Sequence, residues 1–298
     1  MPSYAEIRRQ ELRHIEQSLK DDRKMKRELA KLYRNSAEDI QRHIDADIMR
    51  FAAKENVSMA EAKRIISKTD VEKFQNTAKR YVEEKNTNPK VNKELRRFNV
   101  TMRTNRLELL QARINLDTVM LAWEEEQLTA KYITEEVIKE HIRQAGILGM
   151  TVPSRSQLET LAKAVLLSDV SGATFSDRIW ANQVELRNEV NQTIERALIR
   201  GEHPRKSAAN IKRLIRDEYG KKQRAAERIL ITETARAQTI AGVEAFKAAE
   251  VDKMMWIAEP DACPICSGMD GKVFSIDTSE LTIPAHPFCR CSYAGYVE

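Results

Sequence analysis

The stretch CPICSGMDGKVFSIDTSELTIPAHPFCRCS, residues 263–292, holds every cysteine of a 298-residue chain, together with one histidine. Its spacing is C-x2-C followed, after a loop, by H-x2-C-x-C. Two close ligand pairs joined by a loop are how a chain folds around one ion. Zinc takes four tetrahedral ligands drawn from thiolate and imidazole, and Cys263, Cys266, His286, Cys289 and Cys291 offer one more than it needs. The reading is therefore a structural zinc held by four of these five, with Cys289 or Cys291 as the spare. Two alternatives stand beside it: reduced thiols packed in a knuckle, and a disulfide or redox role.

The start of the chain, MPSYAEIRRQELRHIEQ, is charged throughout and has no apolar run of signal-peptide length. No window approaches the roughly 18 apolar residues of a membrane span. The expectation is a protein made in the cytosol, without a membrane partner, where close cysteine pairs bind metal more often than they form disulfides. A zinc shell filled by protein leaves no position for water or substrate, which argues against an enzyme. The remaining histidines, His14, His43, His141 and His203, lie far upstream and read as exposed helix residues.

All nine glycines fall at or after Gly146, and Pro89 is the only proline between Pro2 and Pro153. The first half is thus nearly free of helix breakers. Capping boxes at Ser3-x-x-Glu6, Ser58-x-x-Glu61 and Thr69-x-x-Glu72 predict helices near 4–54, 59–67 and 70–86, and Pro89 opens another over 90–128. In that last helix Val91, Leu95, Phe98, Met102, Asn105, Leu109, Ala112, Leu116, Val119 and Trp123 recur at steps of 4 and 3. Such a period is a coiled-coil seam, with Asn105 as the polar position that sets register. It pairs either with the stripe Leu29, Leu32, Tyr33, Ala37, Ile40, Ile44, Ile48 and Phe51 of the same chain, or with a second copy through residues 91–123.

Residues 1–120 carry 27 Lys and Arg against 19 Asp and Glu, in a chain whose net charge is +5. Clusters such as RKMKRELAKLYR and KELRRFNVTMRTNR fit non-specific contact with DNA phosphates, or else a solvated face with interspersed acids. The glycines and proline of GILGMTVPSRSQ mark a hinge at 146–155 between a helical basic arm, 1–145, and a C-terminal module, 156–298. In that module Ser156-x-x-Glu159 starts a helix and SDVSGATFSD breaks it. A helix over 177–200 ends at Gly201, a shorter one closes at Gly220, and a long alanine-rich one follows. DKMMWIAEP, KVFSID and CSYAGYV then read as short strands around the cysteine pairs, with Asp270-Gly271 as a tight turn. The fold class is mainly α: a long, coiled-coil-like N-terminal arm plus an α+β module with a small zinc-stapled sheet.

The order ILITETARAQTIAGVEAFKAAEVDKMMWIAEPDACPICSGMDGKVFSID…PAHPFCRCSY resembles the Mu F-like minor head proteins of tailed bacteriophages, also called phage head morphogenesis proteins. The likeness covers about residues 155–298. It is most specific at Thr232-Glu233-Thr234-Ala235-Arg236, at Trp256, at Cys263-x2-Cys266 with Asp270-Gly271-Lys272, and at His286-Pro287-x-Cys289-Arg290-Cys291. The resemblance implies a minor structural protein of the virion, inside the capsid at the portal vertex and assembled in the host bacterial cytoplasm. Its implied partners are the portal protein and the major capsid or scaffold proteins, with DNA contact through the arm. Glu233 and Arg236, three apart on a helix, read either as a local ion pair or as a brace reaching the knuckle, and with Arg290 they are taken as structural. The alternative is a nucleic-acid-processing enzyme acting during DNA packaging.

Overall fold

The computed structural model describes residues 4–52, 88–91, 106–170, 172–199, 204–277 and 283–297. In chain order its elements are α1 (Tyr4–Ala52), α2 (Arg106–Leu148), α3 (Arg155–Leu166), α4 (Phe175–Ile199) and α5 (Pro204–Ala248). There follow β1 (Lys253–Ile257), the one-turn α6 (Pro264–Ser267), β2 (Val273–Ser275) and β3 (Ser292–Tyr296). The architecture is mainly helical with a small antiparallel sheet, as the residue pattern predicts. The helices expected over 59–67 and 70–86, His203 and Asn105 fall outside the described residues. No helix of the described residues is long and apolar enough to cross a membrane.

Several helix ends differ from expectation, for local reasons. The helix expected to stop near 128 continues to Leu148, because Tyr132, Ile133 and Val137 carry its buried stripe onward. It ends where Gly149 takes φ 68° and the Met150 N–H reaches back to the Ala145 carbonyl at 2.9 Å. That 6→1 bond is the Schellman cap, whose left-handed residue favours glycine. The cap of α3 is Ser154 and not Ser156: its hydroxyl accepts the Gln157 N–H, and Gln157 reaches back to the Ser154 N–H at 2.9 Å. Gly220 closes nothing, since α5 runs through it with Ile215, Tyr219, Ala226 and Leu230 buried on either side. A helical glycine costs about 1 kcal/mol relative to alanine, which burial of that stripe outweighs.

Two compact units divide the chain differently from an arm ending at 145 and a module starting at 156. One gathers Met1–Ala30, Glu125–Ile179 and Arg224–Glu298; the other gathers Lys31–Glu124 and Trp180–Gln223. Each draws on segments far apart in sequence, so α1 and α2 belong to the cores and do not form a separate arm. In the second unit the buried Tyr33 hydroxyl accepts from Gln183 at 2.7 Å and Asn182 at 3.2 Å, and its ring stands edge-on to Tyr219 at 6.2 Å. Val91, Leu116, Val119, Met120, Ala122 and Trp180 form a second cluster there. The described seam positions Val91, Ala112, Leu116 and Val119 are thus buried within the chain itself.

The first unit holds the sheet, ordered β2-β1-β3, with β1 antiparallel to both neighbours. Central β1 is KMMWI, apolar and buried from Met254 to Ile257, because both of its faces are covered there. Met254 and Trp256 face Phe246, Cys266, Cys289 and Tyr293, with Trp256 and its cross-strand partner Tyr293 edge-to-face at 5.6 Å. Met255, Ile257 and Ala294 pack on Ile15 of α1. The sheet expected to rest on one long helix therefore lies between α5 with the cysteine loops on one side and α1 on the other.

The open space around the Gly220 Cβ direction and its ordinary helical φ give a direct test of α5's continuity. Gly220→Ala should stabilise the protein by about 0.5–1 kcal/mol in urea titration. A loss of stability would show that the helix does not run through this position.

Candidate metal centre

The cysteine loops place their donor atoms in a tight cluster. Cys263 is the N-cap of α6, and its Sγ accepts the Cys266 N–H at 3.5 Å, so one turn of helix presents both thiols to the same side. Pro264 at the first helical position fixes the φ that turn needs. From the other loop, His286 Nε2 lies 3.3 Å from Cys263 Sγ and 3.4 Å from Cys266 Sγ, while Cys266 and Cys289 Sγ are 3.9 Å apart. Two overlapping groups, Cys263–Cys266–His286 and Cys266–Cys289–Cys291, each keep their donor atoms within 4.8 Å of one another. In a tetrahedral zinc shell the ligand-to-ligand edges are about 3.5 Å for N and S and about 3.7 Å for two S, so the donor set fits such an ion.

The surroundings also suit a metal. His286 Nδ1 lies 2.9 Å from the Pro287 carbonyl, a contact that a protonated Nδ1 satisfies and that leaves the Nε2 lone pair facing the thiols. Cys266 and Cys289 are fully buried and Cys291 nearly so. Burial pushes the Cys266 thiol up to about 12. The hydrogen bond from Cys291 holds Cys289 down at about 5, and the same bond together with burial holds Cys291 up. Four thiols crowded without a cation cannot all ionise, and a bound cation removes that conflict.

Arg290, between Cys289 and Cys291, connects the cluster to two helices. Its guanidinium is 3% exposed and ion-paired to Asp22 of α1, where Nε donates at 2.9 Å. It also donates to Gln238 Oε1 at 2.8 Å and Thr234 Oγ1 at 3.0 Å on α5, and its own N–H donates to Glu259 at 3.1 Å. Next to it, Thr232 Oγ1 accepts the Phe288 N–H at 3.2 Å, supporting a residue held at φ 65°. Asp270 takes both Arg8 Nη atoms at 2.9 and 2.7 Å and caps the Ala258 N–H at 2.9 Å. Arg8 accordingly holds the Asp270 carboxyl below the usual carboxylate range.

Of the two roles open to Glu233 and Arg236, the structure shows the local ion pair. Glu233 is paired to Arg236, its neighbour on α5, and to Arg178 of α4, so this pair ties α5 to α4 and does not reach the cysteines. The residues missed in the pattern are Asp22, Gln238 and Arg8, while Thr232 and Thr234 stand there within the stretch 232–236 without a role of their own. Asp22 carried a readable signal: it is the charged member of the buried stripe Ile15, Ser18, Asp22, Met25 and Leu29.

Residues 188–294 match the protein-family model described as phage Mu protein F like protein. The chain carries a Mu F-like segment. It begins in α4 and ends in β3, so it spans α5, the sheet and all five candidate ligands, and starts later than the likeness read from about residue 155. No curated protein and no solved structure matches the chain. Outside the Mu F-like segment lie Asp22, Arg8 and Arg178, which supply the acid for Arg290, the cation for Asp270 and a cation for Glu233.

The described upstream histidines, His14, His43 and His141, are not exposed as expected. His141 is buried, and His43 Nδ1 lies 3.0 Å from Asp117. His14 Nε2 lies 3.2 Å from Glu140 beside a small polar cavity that Ser18, Gln238, Arg290 and Cys291 also line. Its pKa falls to about 4 because burial and the Arg143 charge outweigh the pull of Glu11 and Glu136. The contact with Glu140 is thus one a neutral imidazole makes, Glu140 being already held by Arg143 at 2.7 Å and Gln144 at 2.8 Å.

Two measurements follow from this geometry. With His14 at about 4 folded and 6.5 unfolded, the unfolded state binds the extra proton, so stability is full above pH 6.5 and drops as pH falls toward 4. The loss is on the order of 3 kcal/mol, and His14→Gln should remove that part of the wild-type acid slope; identical slopes would refute it. Breaking one side of the buried pair by Arg290→Met should cost about 3–5 kcal/mol, while Arg290→Met with Asp22→Leu should recover much of the loss. A double variant as unstable as the single one would show that the pair is not the source.

Proposed function

We propose that the chain is a minor structural protein of a tailed-phage head, acting at the portal vertex inside the capsid. The observation that carries this is the family match over residues 188–294, the same stretch that holds the cysteine cluster and its ties to α5. The partners on this reading are the portal protein and the major capsid or scaffold proteins. The cluster is a structural zinc site, filled by four of Cys263, Cys266, His286, Cys289 and Cys291. Such a shell leaves the ion no open position for water or substrate, so it staples the loops to β1 and does not catalyse.

Our reading of the arrangement is that zinc binding and folding of this region are one event, because the ligands come from two loops that only the folded sheet brings together. Glu233, Arg236 and Arg290 serve as braces, the first two through α4 and the last through α1. The register role of Asn105 stays part of this proposal, and self-association through 91–123 would use faces other than the buried Val91, Ala112, Leu116 and Val119.

Cys266 is the donor shared by both groups, so its loss should matter most. Protein purified without chelator should contain one zinc per chain by elemental analysis, and Cys266→Ser should abolish it. The same variant should fail to enter heads when co-produced with portal and shell proteins. Wild-type protein with well under one zinc would refute the metal reading, and wild-type protein absent from heads would refute the head reading.

A further inference from the structure

Five donors stand where a tetrahedral ion takes four, and the backbone around them singles one out. Four of them come as two pairs built alike. Cys263 and Cys266 span the one turn of α6, closed by the Ser267 N–H on the Cys263 carbonyl at 2.9 Å. His286 and Cys289 span a second turn with the same spacing, closed by the Cys289 N–H on the His286 carbonyl at 3.2 Å. A turn of this kind brings its first and fourth residues together, which is why zinc ligands so often come in pairs at that spacing.

Cys291 is placed differently. It directly precedes β3, whose first residue Ser292 is in register with Ile257. Side chains alternate along extended chain, so Cys291 shares a face with Tyr293, and the two lie in one buried cluster with Phe246 and Trp256. Ser292 and Ala294 take the other face, where Ser292 donates to Glu11 at 2.7 Å and Ala294 packs with Ile15. Both neighbours of Cys291 are anchored, Ser292 through Glu11 and Arg290 through Asp22 and Glu259. Cys291 is thus the first inward position of the strand and not the end of a ligand turn.

The distances between donor atoms agree. Cys263 to His286 is 3.3 Å, His286 to Cys266 is 3.4 Å and Cys266 to Cys289 is 3.9 Å. Against tetrahedral edges of about 3.5 Å and about 3.7 Å, these are three consecutive edges of one shell, and they use both members of each turn. Cys289 and Cys291 both belong to the group formed with Cys266, so the choice of fourth ligand lies between them, and the turn decides for Cys289. The Cys291 thiol hydrogen-bonds the Cys289 sulfur.

We propose that Cys263, Cys266, His286 and Cys289 are the zinc ligands and that Cys291 stays outside the shell as a thiol donating a hydrogen bond to the Cys289 sulfur. The assignment rests on the zinc reading above. Three thiolates outweigh the charge of a divalent ion, and the excess falls where Cys289 is fully buried from water. A donor beside that sulfur takes up part of the charge, as outer partners of metal ligands do. Because S–H is a weak donor, its loss belongs at the low end of the effect of such partners, about 10-fold in metal affinity. Cys291 is a positioning residue of the site.

The test uses the full chain loaded with zinc, with X-ray absorption to read the shell and competition against a chromophoric chelator to read affinity. Wild type should show three sulfurs and one nitrogen. Cys291→Ser should keep that shell and, because a hydroxyl also donates, an affinity near wild type. Cys291→Ala should keep the shell with affinity about 10-fold lower. Cys289→Ser should lose stoichiometric zinc. A four-sulfur shell in wild type, a sulfur replaced by oxygen in Cys291→Ser, loss of stoichiometric zinc from both Cys291 variants, or full occupancy at unchanged affinity in Cys289→Ser would each overturn the assignment. Equal affinity in wild type and Cys291→Ala would overturn the donor role. Wild type holding well under one zinc per chain, whatever the variants do, sinks the zinc reading itself.

Discussion

The ion pair between Arg290 and Asp22 joins the beginning of the chain to its end, and the other contacts of the first unit are arranged around it. Burying both charges costs several kcal/mol in lost hydration, which their attraction offsets only if the remaining donors are satisfied. Here Gln238 and Thr234 take the guanidinium N–H groups that Asp22 leaves. Such a pair adds little net stability over an apolar substitute, but any other placement of α1 would strand a charge. It sets where α1 lies on the sheet, and the apolar contacts of Ile15 then follow.

A second group of charges repeats the device one turn of α2 at a time. Arg143 holds Glu11 of α1 through two bonds at 2.8 and 3.0 Å, and Ser292 of β3 donates to the same carboxylate at 2.7 Å. Glu136 accepts from Gln238 at 2.6 Å. Over positions 9–27 the inner side of α1 is thus acidic and paired, while the exposed cations of its outer side form no ion pair among the described residues. One helix separates the two kinds of charge by its two faces, and the charge count of residues 1–120 alone cannot show this.

What the sequence made legible was mostly local. The strands, the Asp270-Gly271 turn, the break before α3 and the ligand pairs all follow from spacing, because each depends on residues within a few positions. At Gly220 burial by distant segments overrides a local breaker signal, and α2 runs past 128 because no breaker stands before Gly146 and its buried stripe continues. The unit boundaries were illegible for the same reason: a glycine and proline linker marks a bend in the chain, not which pieces share a core. The buried acids Glu11 and Asp22 are long-range clues, since an acid within a 3,4-spaced apolar stripe requires a partner somewhere. Nothing near Asp22 in sequence names Arg290 as that partner.

Asp22 and Arg290 are 268 positions apart. At the usual ribosomal pace of about 5–20 residues per second, α1 leaves the ribosome roughly 15–50 s before the strand that covers it exists. During that interval its buried stripe, with Ile15, Met25 and Leu29, faces water or whatever chaperone or neighbour is at hand. Final assembly of the first unit is a closing step that waits for β3 to be made, and the high sequence separation of its contacts makes that step slow by nature. Until β3 exists, Ile15 of α1 lacks the Ala294 side of its cover, so this helix is finished by a strand made hundreds of residues after it.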